Sequence, residues 1–300
     1  MRAIVGGVVL AAILAGGAAA QQAQPDWSKV EIKATDLGRR TWMLEGQGGN
    51  LTLIAGDDGA ILVDSQFAPL HDKIRAKVAE LAGQPVRYLV NTHLHGDHTG
   101  GNQAFWLAGA TLVGHANLKA SLAAGTTNAL TGAKIPPAPA AALPKVTYGQ
   151  RTTVSVKGRT VELVHMPLAH TKGDTAVRVR DADVLATGDI VSWGARYPNI
   201  DVGDGGDIDG MIAAVDGFLK MAGPKTKIVP GHGKLMTRAD LAAYRQLLAD
   251  ARDAVGALKA AGRSEDEAVA ARPLADVQAR AGATDPQSAT LVRLIYRSVG

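Results

Sequence analysis

The chain has 300 residues, of which 46% are hydrophobic and 20% are charged. These values are close to the average for soluble globular proteins, so they exclude a disordered chain and a collagen-like repeat, and the length predicts one domain or at most two. The formal net charge is only +4 and the basic residues are scattered, so nucleic acid is not an expected partner.

Residues 1–20 have the pattern of a secretory signal peptide. Arg2 supplies a positive charge, Ile4 to Leu14 form an apolar run, and Ala18-Ala19-Ala20 provide small residues before a polar stretch. The apolar run is shorter than the roughly 20 residues that span a membrane. We therefore expect cleavage, a periplasmic or secreted protein with no membrane span, and a single domain over residues 21–300 that ends in helices.

The segment after the signal peptide alternates short strands with turns and a helix. The helix is predicted at 71–82, because Leu70, Ile74, Val78 and Leu81 recur at helical spacing and form one apolar face. Apolar runs bounded by turns predict strands at 42–44, 51–54, 60–63, 86–90 and 111–113.

The second half of the chain repeats this pattern. Gly, Ala, Thr and Pro dominate between Ala123 and Pro144, which predicts a loop. Helices are predicted at 208–219 and 237–258, and Ser264 with Glu267 indicates a capping box that begins another helix. Further strands are predicted at 152–156, 161–164, 176–179 and 184–186. Alternating strands and helices predict an α/β fold with two sheet halves.

The motif His93-Leu94-His95-Gly96-Asp97-His98 directly follows the predicted strand at 86–90. Alternate residues of an extended backbone point the same way, so His93 and His95 are expected to face one metal ion. The turn at Gly96 directs Asp97 and His98 toward a second. The chain has eight His and no Cys, which excludes thiolate ligands and disulfides, so the motif predicts a metal site of imidazoles and carboxylates.

Three further residues stand where α/β proteins gather their ligands. His170 lies three residues before Gly173 and His232 lies between two glycines, each after an apolar strand, and Asp189 follows the strand at 184–186 through a Thr-Gly turn. Strand ends are the usual ligand positions in such folds. By themselves, however, His170 and His232 are more typical of ordinary loop histidines, and the family resemblance given below is what makes them candidate ligands.

Other residues have weaker signals. His71 and His165 are expected to be structural, whereas His115 stays a candidate because it follows a strand. The segment after Asp189 contains residues that either contact substrate or anchor the loop, namely Trp193, Arg196 and Tyr197.

With five metal motifs in the same order, residues 42–233 resemble the metallo-β-lactamase superfamily. The resemblance implies a four-layered αββα sandwich with two Zn²⁺ at one edge of its two sheets. It implies that Asp64, at the end of the strand at 60–63, orients the loop that carries the ligands without binding the metal itself. The implied ligands are His93, His95 and His170 for one zinc, Asp97, His98 and His232 for the other, and Asp189 as a bridge.

The resemblance also implies a reaction. Two zinc ions with a bridging hydroxide would hydrolyse an acyl bond, in a β-lactam amide, a lactone or an ester, with Asp97 as the proton shuttle. Two Zn²⁺, two carboxylates and one hydroxide leave a site charge of about +1, which favours a small-molecule substrate that carries a carboxylate.

The family leaves the substrate open. Asp189 stands where the best-known β-lactamase subclasses have Cys or a non-bridging Ser, and in this respect the chain is more similar to the lactonase and thioesterase branches. A thioester hydrolase, an iron-dependent oxidoreductase with the same ligands, and a metal-binding accessory protein without turnover stay as alternatives. Specificity is expected to come from the loop at 123–144 and from the segment after Asp189.

Overall fold

The computed structural model describes residues 25–194 and 197–300, so the predicted signal peptide lies outside the described residues. The strands in this part of the chain are β1 (Lys33–Gly38), β2 (Thr41–Glu45), β3 (Leu51–Ala55), β4 (Ala60–Val63), β5 (Val86–Val90), β6 (Thr111–His115), β7 (Thr126–Thr127), β8 (Lys134–Ile135), β9 (Val146–Tyr148), β10 (Arg151–Val156), β11 (Arg159–His165), β12 (Thr175–Val179), β13 (Val184–Ala186) and β14 (Lys227–Val229). The α-helices are α1 (His71–Ala82), α2 (Gly96–Thr99), α3 (Asn102–Leu107), α4 (Ala116–Ala124), α5 (Ile208–Met221), α6 (Arg238–Ala260), α7 (Glu265–Ala270), α8 (Ala275–Ala281) and α9 (Asp285–Ser298).

Two main sheets organise these strands. The first has the order β1-β2-β3-β4-β5-β6-β9, and the second has the order β10-β11-β12-β13-β14. Most neighbours are antiparallel, but β4, β5, β6 and β9 pair in parallel, as do β13 and β14. The carboxyl ends of parallel strands meet at one sheet edge, which is where α/β folds bind ligands.

Three apolar layers hold the two sheets and their helices together. Ile54 and Val90 from the first sheet pack against Val161 and Val177 from the second. The outer face of the first sheet packs on α1 and α3, and the outer face of the second sheet packs on α5, α6 and α9. The order helix, sheet, sheet, helix confirms the predicted four-layered αββα sandwich.

Burial on both faces explains why the central strands β3 and β4 are apolar at every position except Thr52. Every residue of β3 and β4 is buried. Leu53 and Leu62 face the helices, whereas Ile54 and Ile61 face the other sheet. A strand covered on both sides has no polar face, so its sequence does not alternate.

The predicted helices are present with nearly the predicted bounds. Helix α1 ends at Gly83, whose left-handed backbone (φ 65°) lets its N–H reach the Ala79 carbonyl. The predicted capping box is present, because the side chains and backbones of Ser264 and Glu267 bond reciprocally at the start of α7. Within the described residues, no helix combines the length and apolar character needed to cross a membrane.

Several short elements were missed by the sequence analysis. The edge strand β1 is mostly exposed and lacks an apolar run, and α3 and α4 are too short for a clear helical period. The stretch at 123–144, predicted as a loop, contains the small hairpin β7-β8. Its turn is held by Asn128, whose side-chain oxygen accepts from the N–H groups of Leu130 and Thr131.

Candidate metal centre

Seven side chains converge where the parallel strands of the two sheets end. They form two groups, and within each group one candidate ligand atom per residue lies within 4.8 Å of the others. The first group is His93, His95, His170 and Asp189, and the second group is Asp97, His98 and His232. All seven are residues that the sequence singled out as candidate ligands.

Local backbone structure separates the histidine motif into these two groups. The chain leaves β5 at Val90 and bends at residues 92–94 before His95, whose own backbone is extended and which precedes helix α2. Helix α2 begins at Gly96 and turns the chain, so that Asp97 and His98 join the second group, with the His98 ring 4.2 Å from the ring of His93. Bends therefore place the first pair of histidines, where the sequence predicted extended backbone, and a single helical turn places the second pair of ligands.

Asp189 stands between the two groups. Its Oδ2 lies 3.9 Å from Nε2 of both His93 and His170 and 3.3 Å from Nε2 of His232, and its Oδ1 lies 3.0 Å from Nε2 of His98. The 3₁₀ turn after β13 positions this carboxylate over the sheet edge. One side chain thus reaches candidate ligands of both groups.

The buried atoms at the centre fit metal binding. Among the described residues, Nε2 of His93 is buried without a hydrogen-bond partner, and Nε2 of His98 and Oδ1 of Asp189 are buried with only each other, 3.0 Å apart, as a polar neighbour on the side of the centre. An unpaired polar atom inside a protein costs about 1–3 kcal/mol, so such atoms call for an occupant. Imidazole nitrogens and a carboxylate oxygen facing one point match the donor preference of zinc.

Four of the five histidines have a hydrogen-bond partner at the ring nitrogen that faces away from the centre. Such contacts fix the orientation of a metal-binding imidazole. The partners are the Thr92 hydroxyl for His93 (3.0 Å), the Asp201 carboxylate for His95 (2.9 Å), the Asp64 carboxylate for His98 (2.8 Å) and the Asn199 carbonyl for His170 (2.7 Å).

Asp64 lies where the resemblance predicted a supporting carboxylate. It is buried directly after β4 and has a left-handed backbone with φ 63°. Its two oxygens accept from the backbone N–H and the hydroxyl of Thr92 as well as bonding His98. It therefore joins the loop after β5 to the second group.

Asp201 was missed by the sequence analysis. It lies on a short 3₁₀ turn outside any strand pattern, so no motif or periodicity marked it. Its carboxylate bonds Nε2 of His95, which turns Nδ1 of His95 inward to within 3.0 Å of Nε2 of His170. The extra carboxylate lowers the site charge below the value of about +1 expected from two ligand carboxylates.

The protonation of the ligands follows from burial and from the nearby charges. Burial lowers the pKa of His170 to about 4 and the pKa of His93 well below its usual value. Both rings are therefore neutral at pH 7, which is the form that binds metal. Burial would raise the pKa of Asp97, but His232 and His98 lower it to about 2, so Asp97 is ionised.

Two of the seven side chains reach the surface. The side chains of Asp97 and His95 are 25% and 19% exposed, whereas the other five are exposed by 9% or less. The centre is therefore accessible to solvent beside Asp97 and His95.

The remaining candidates lie outside both groups. His115 stacks on His165 with ring centroids 3.6 Å apart, and His71 packs edge-on against Phe105. Trp193 packs against the ring of Tyr244, and the Tyr197 hydroxyl accepts from Ser288 at 3.2 Å, so both anchor their loop to the helical layer. Arg196 lies outside the described residues.

The stacked His115 predicts a loss of stability in acid. Burial and the neighbouring His165 lower the pKa of His115 from 6.5 to about 4. Protonation thus favours the unfolded chain, and this stability is present above pH 6.5 and is lost as the pH falls toward 4. At about 1.4 kcal/mol per pH unit below 6.5, the full shift would contribute about 2 kcal/mol between pH 7.5 and pH 5.0, and solvent screening around this partly buried ring reduces the contribution to about 1 kcal/mol.

His115→Asn should abolish this part of the pH dependence. Asparagine keeps an acceptor for the Asn117 N–H that His115 now caps at 3.2 Å. We expect the variant to lose less free energy of unfolding than the wild type between pH 7.5 and pH 5.0, as measured by urea denaturation. Parallel pH profiles for the two proteins would contradict this assignment.

The sequence profile of the Metallo-beta-lactamase superfamily matches residues 44–233, a span that contains all seven candidate ligands. A curated relative, the alpha subunit of 2,4-dinitroanisole O-demethylase from Nocardioides sp. (strain JS1661), is 27% identical over 160 residues. That alignment covers 53% of this chain and 46% of the relative, so the chain spans about half of the relative's length.

Solved structures share the fold at low sequence identity. A metallo-beta-lactamase from Pontibacter korlensis superposes with a TM-score of 0.60 and 20% identity, covering 73% of this chain and 100% of that one. The stereoselective inverting sec-alkylsulfatase Pisa1 from Pseudomonas sp. superposes with a TM-score of 0.65 and 17% identity, covering 88% of this chain and 50% of that one. At these identities the likeness establishes the fold alone.

Proposed function

The chain belongs to the metallo-β-lactamase superfamily, and on that premise we propose that it is a dinuclear zinc hydrolase that cleaves an acyl bond. The observation that carries the proposal is the pair of ligand groups that Asp189 joins, since its carboxylate belongs to the first group and lies 3.0 Å from His98 and 3.3 Å from His232 of the second. His93, His95 and His170 would hold one ion, Asp97, His98 and His232 the other, and Asp189 both.

The metal ions and the residues around them would have different roles in the reaction. When bound, two Zn²⁺ would supply a nucleophile at neutral pH and polarise the scissile bond. Asp97 is the most exposed of the seven side chains and is ionised, with Oδ2 held 3.1 Å from Nε2 of His232. Its carboxylate is therefore placed to accept a proton during attack and to return it to the leaving group.

The substrate class stays broad within this proposal. A lactone or an ester fits a site with a carboxylate at position 189. Hydrolysis of a thioester or a β-lactam amide would use the same two metal ions, so these substrates also stay within the proposal. Asp201 adds negative charge beside His95, so the structure does not strengthen the expectation that the substrate carries a carboxylate. Trp193 and Tyr197 serve as loop anchors, which leaves the hairpin β7-β8 as the better candidate for selecting substrates.

Metal analysis and a substrate panel test the proposal. The purified protein would be analysed for zinc and iron and assayed with a β-lactam, a lactone, an aryl ester and a thioester. A secondary alkyl sulfate and 2,4-dinitroanisole, compounds named for the similar proteins, extend the panel. Two zinc ions per chain with acyl-bond hydrolysis is the expected result.

Other outcomes would contradict the proposal. Iron with oxygen consumption favours the oxidoreductase, and two metal ions without turnover of any compound favour the accessory protein. In the same assay, Asp97→Asn should lower kcat by about 10²-fold, the usual size of a lost proton transfer. Full turnover of that variant with both metals bound would remove the proton-shuttle role.

Export forms a separate part of the proposal. The pattern at residues 1–20 indicates a signal peptide, and the hydrolase would then work in the periplasm or outside the cell. Expression of the full chain in a Gram-negative host, followed by amino-terminal sequencing of the periplasmic fraction, should give a protein that begins near Gln21. An intact amino terminus in the cytoplasmic fraction would contradict export.

A further inference from the structure

The loop between β2 and β3, residues 46–50, lies across the second ligand group, and we call it the glycine strap. Its last residue, Asn50, donates its side-chain amide to the carbonyls of Pro230 and Gly233, each at 2.9 Å. The backbone N–H of Asn50 donates to the Gly231 carbonyl at 2.7 Å. Asn50 thus bonds the main chain on both sides of His232.

The opposite side of the His232 loop is fixed by the segment after β13. The Gly231 N–H lies 2.9 Å from the carbonyls of both Gly188 and Val191, and the Trp193 N–H donates to the His232 carbonyl at 2.9 Å. This segment belongs to the second sheet, whereas Asn50 precedes β3 of the first. The loop is therefore clamped between the two sheets, and Asn50 supplies the contacts from the first sheet.

His232 differs from the other four histidines of the centre. Each of those has a hydrogen-bond partner behind its ring. Over residues 25–194 and 197–300 no such partner bonds Nδ1 of His232, whose Nε2 faces Asp97 and Asp189. The position of this ring therefore depends on the backbone that carries it.

The glycine strap also touches the other two members of the second group. The Gly49 N–H donates to the Asp97 carbonyl at 3.1 Å, and the Gly49 backbone lies against the ring of His98. Gln66 holds the strap in place by donating its amide to the Gly49 carbonyl at 2.7 Å. The strap thus contacts or tethers all three residues of the second group and none of the three histidines of the first.

We propose that Asn50 is a positioning residue for the second metal ion, because it fixes the backbone on both sides of His232. It takes the place of the missing partner behind that ring. The inference rests on the proposed two-ion centre and adds to it a residue outside the ligand set. It predicts that a change at Asn50 weakens one of the two metal equivalents and leaves the other unchanged.

The test measures the affinity of each zinc equivalent by competition with a chelator. His170→Ala and His232→Ala assign the two equivalents to the first and second groups. Asn50→Ala should weaken the second equivalent by about 10- to 100-fold, the usual effect of losing an outer partner. Asn50→Asp should weaken it further, since a carboxylate repels the Pro230 and Gly233 carbonyls, and Asn50→Ser should retain part of the affinity through its single hydroxyl donor.

Two control variants make the selectivity visible. Asp201→Asn should show the reverse pattern, with the first equivalent weakened, because Asp201 bonds His95. Asn117→Ala should leave the second equivalent unchanged, although its amide also donates to a loop carbonyl, that of Lys172 at 3.0 Å. Thermal unfolding of each metal-free variant separates loss of metal from loss of fold.

The outcomes distinguish this inference from the proposed function. Equal weakening of both equivalents, or no weakening, in Asn50→Ala or in Asn50→Ser would overturn the positioning role while the two-ion hydrolase stands. A wild-type protein that binds fewer than two metal ions would overturn both. Selective loss of the second equivalent, graded from Ser to Ala to Asp, would support the inference.

Discussion

Asp189→Asn should lower kcat/KM by on the order of 10³-fold or more, because the substitution weakens both metal ions at once. The carboxylate lies within 3.9 Å of ligand nitrogens in both groups, and a neutral amide is a much poorer ligand for zinc than a carboxylate. Metal analysis should find fewer than two zinc ions per chain. The rise in melting temperature that zinc gives the wild type should shrink as well, since that rise depends on binding.

Asp174→Asn is the matched control for this prediction. Asp174 is equally buried and lies four residues after His170, but it belongs to neither ligand group. Its two oxygens accept from the backbone N–H and the hydroxyl of Thr171, at 2.8 and 2.6 Å, and asparagine can keep the first contact with its carbonyl oxygen while its amide donates to the hydroxyl. The control should keep both metals and most of its activity, and an Asp189→Asn protein with two zinc ions and normal turnover would contradict the shared-ligand assignment.

Gly49→Ala should cost on the order of 10²-fold in kcat, the size expected when a reacting group moves by about 1 Å. A Cβ at Gly49 would lie 2.0 Å from Cε1 and 2.3 Å from Nε2 of His98. The buried ring, which is also bonded by Asp64, would have to leave its position, and overpacking of this kind costs about 1–3 kcal/mol of stability. Activity assays and zinc analysis of the variant check both effects.

Gly96→Ala provides the comparison within the same centre. Gly96 separates His95 from Asp97, yet a Cβ there would meet no atom within 4 Å. As the first residue of α2 it has helical backbone that alanine adopts readily. Activity within a few-fold of the wild type is expected, and equal losses in the two glycine variants would show that the clash with His98 is not the cause.

These two predictions share a physical basis in the position of the centre between the sheets. Asp189 comes from the second sheet, Gly49 from a loop of the first, and both act on His98 after β5. A change in either sheet therefore alters the same buried ring. Because the interior is close-packed, the ring cannot move aside without displacing its other neighbours.

The sequence predicted the fold class and the convergence of the candidate ligands. Apolar runs such as β3 and β4 can be interpreted without knowing their neighbours, because burial on both faces leaves Thr52 as the only polar residue of the two strands. The His93 to His98 motif is similarly local, although bends at residues 92–94 rather than extended backbone place its first two histidines, and the turn that begins at Gly96 places Asp97 and His98. The superfamily resemblance supplied the αββα arrangement, which the packing of the three apolar layers confirms.

Weak local patterns limited the sequence analysis elsewhere. Helices α3 and α4 are short and the edge strand β1 is mostly exposed, so neither periodicity nor an apolar run marked them. The hairpin β7-β8 was hidden within a stretch rich in Gly, Ala and Pro. The signal peptide and the ligand roles of the seven residues stay predictions, which the experiments above address.

Residue types, short spacings and the family resemblance thus predicted, from the sequence alone, seven side chains that the structure brings together and the chemistry that they suit. Only the tertiary structure decided how those side chains are held. Asp201 reaches His95 across 106 residues, and Asn50 reaches Pro230 across 180. Such contacts depend on the packing of the two sheets and leave no periodic trace in the chain, because a single polar residue in a loop looks the same whether it faces water or a buried histidine.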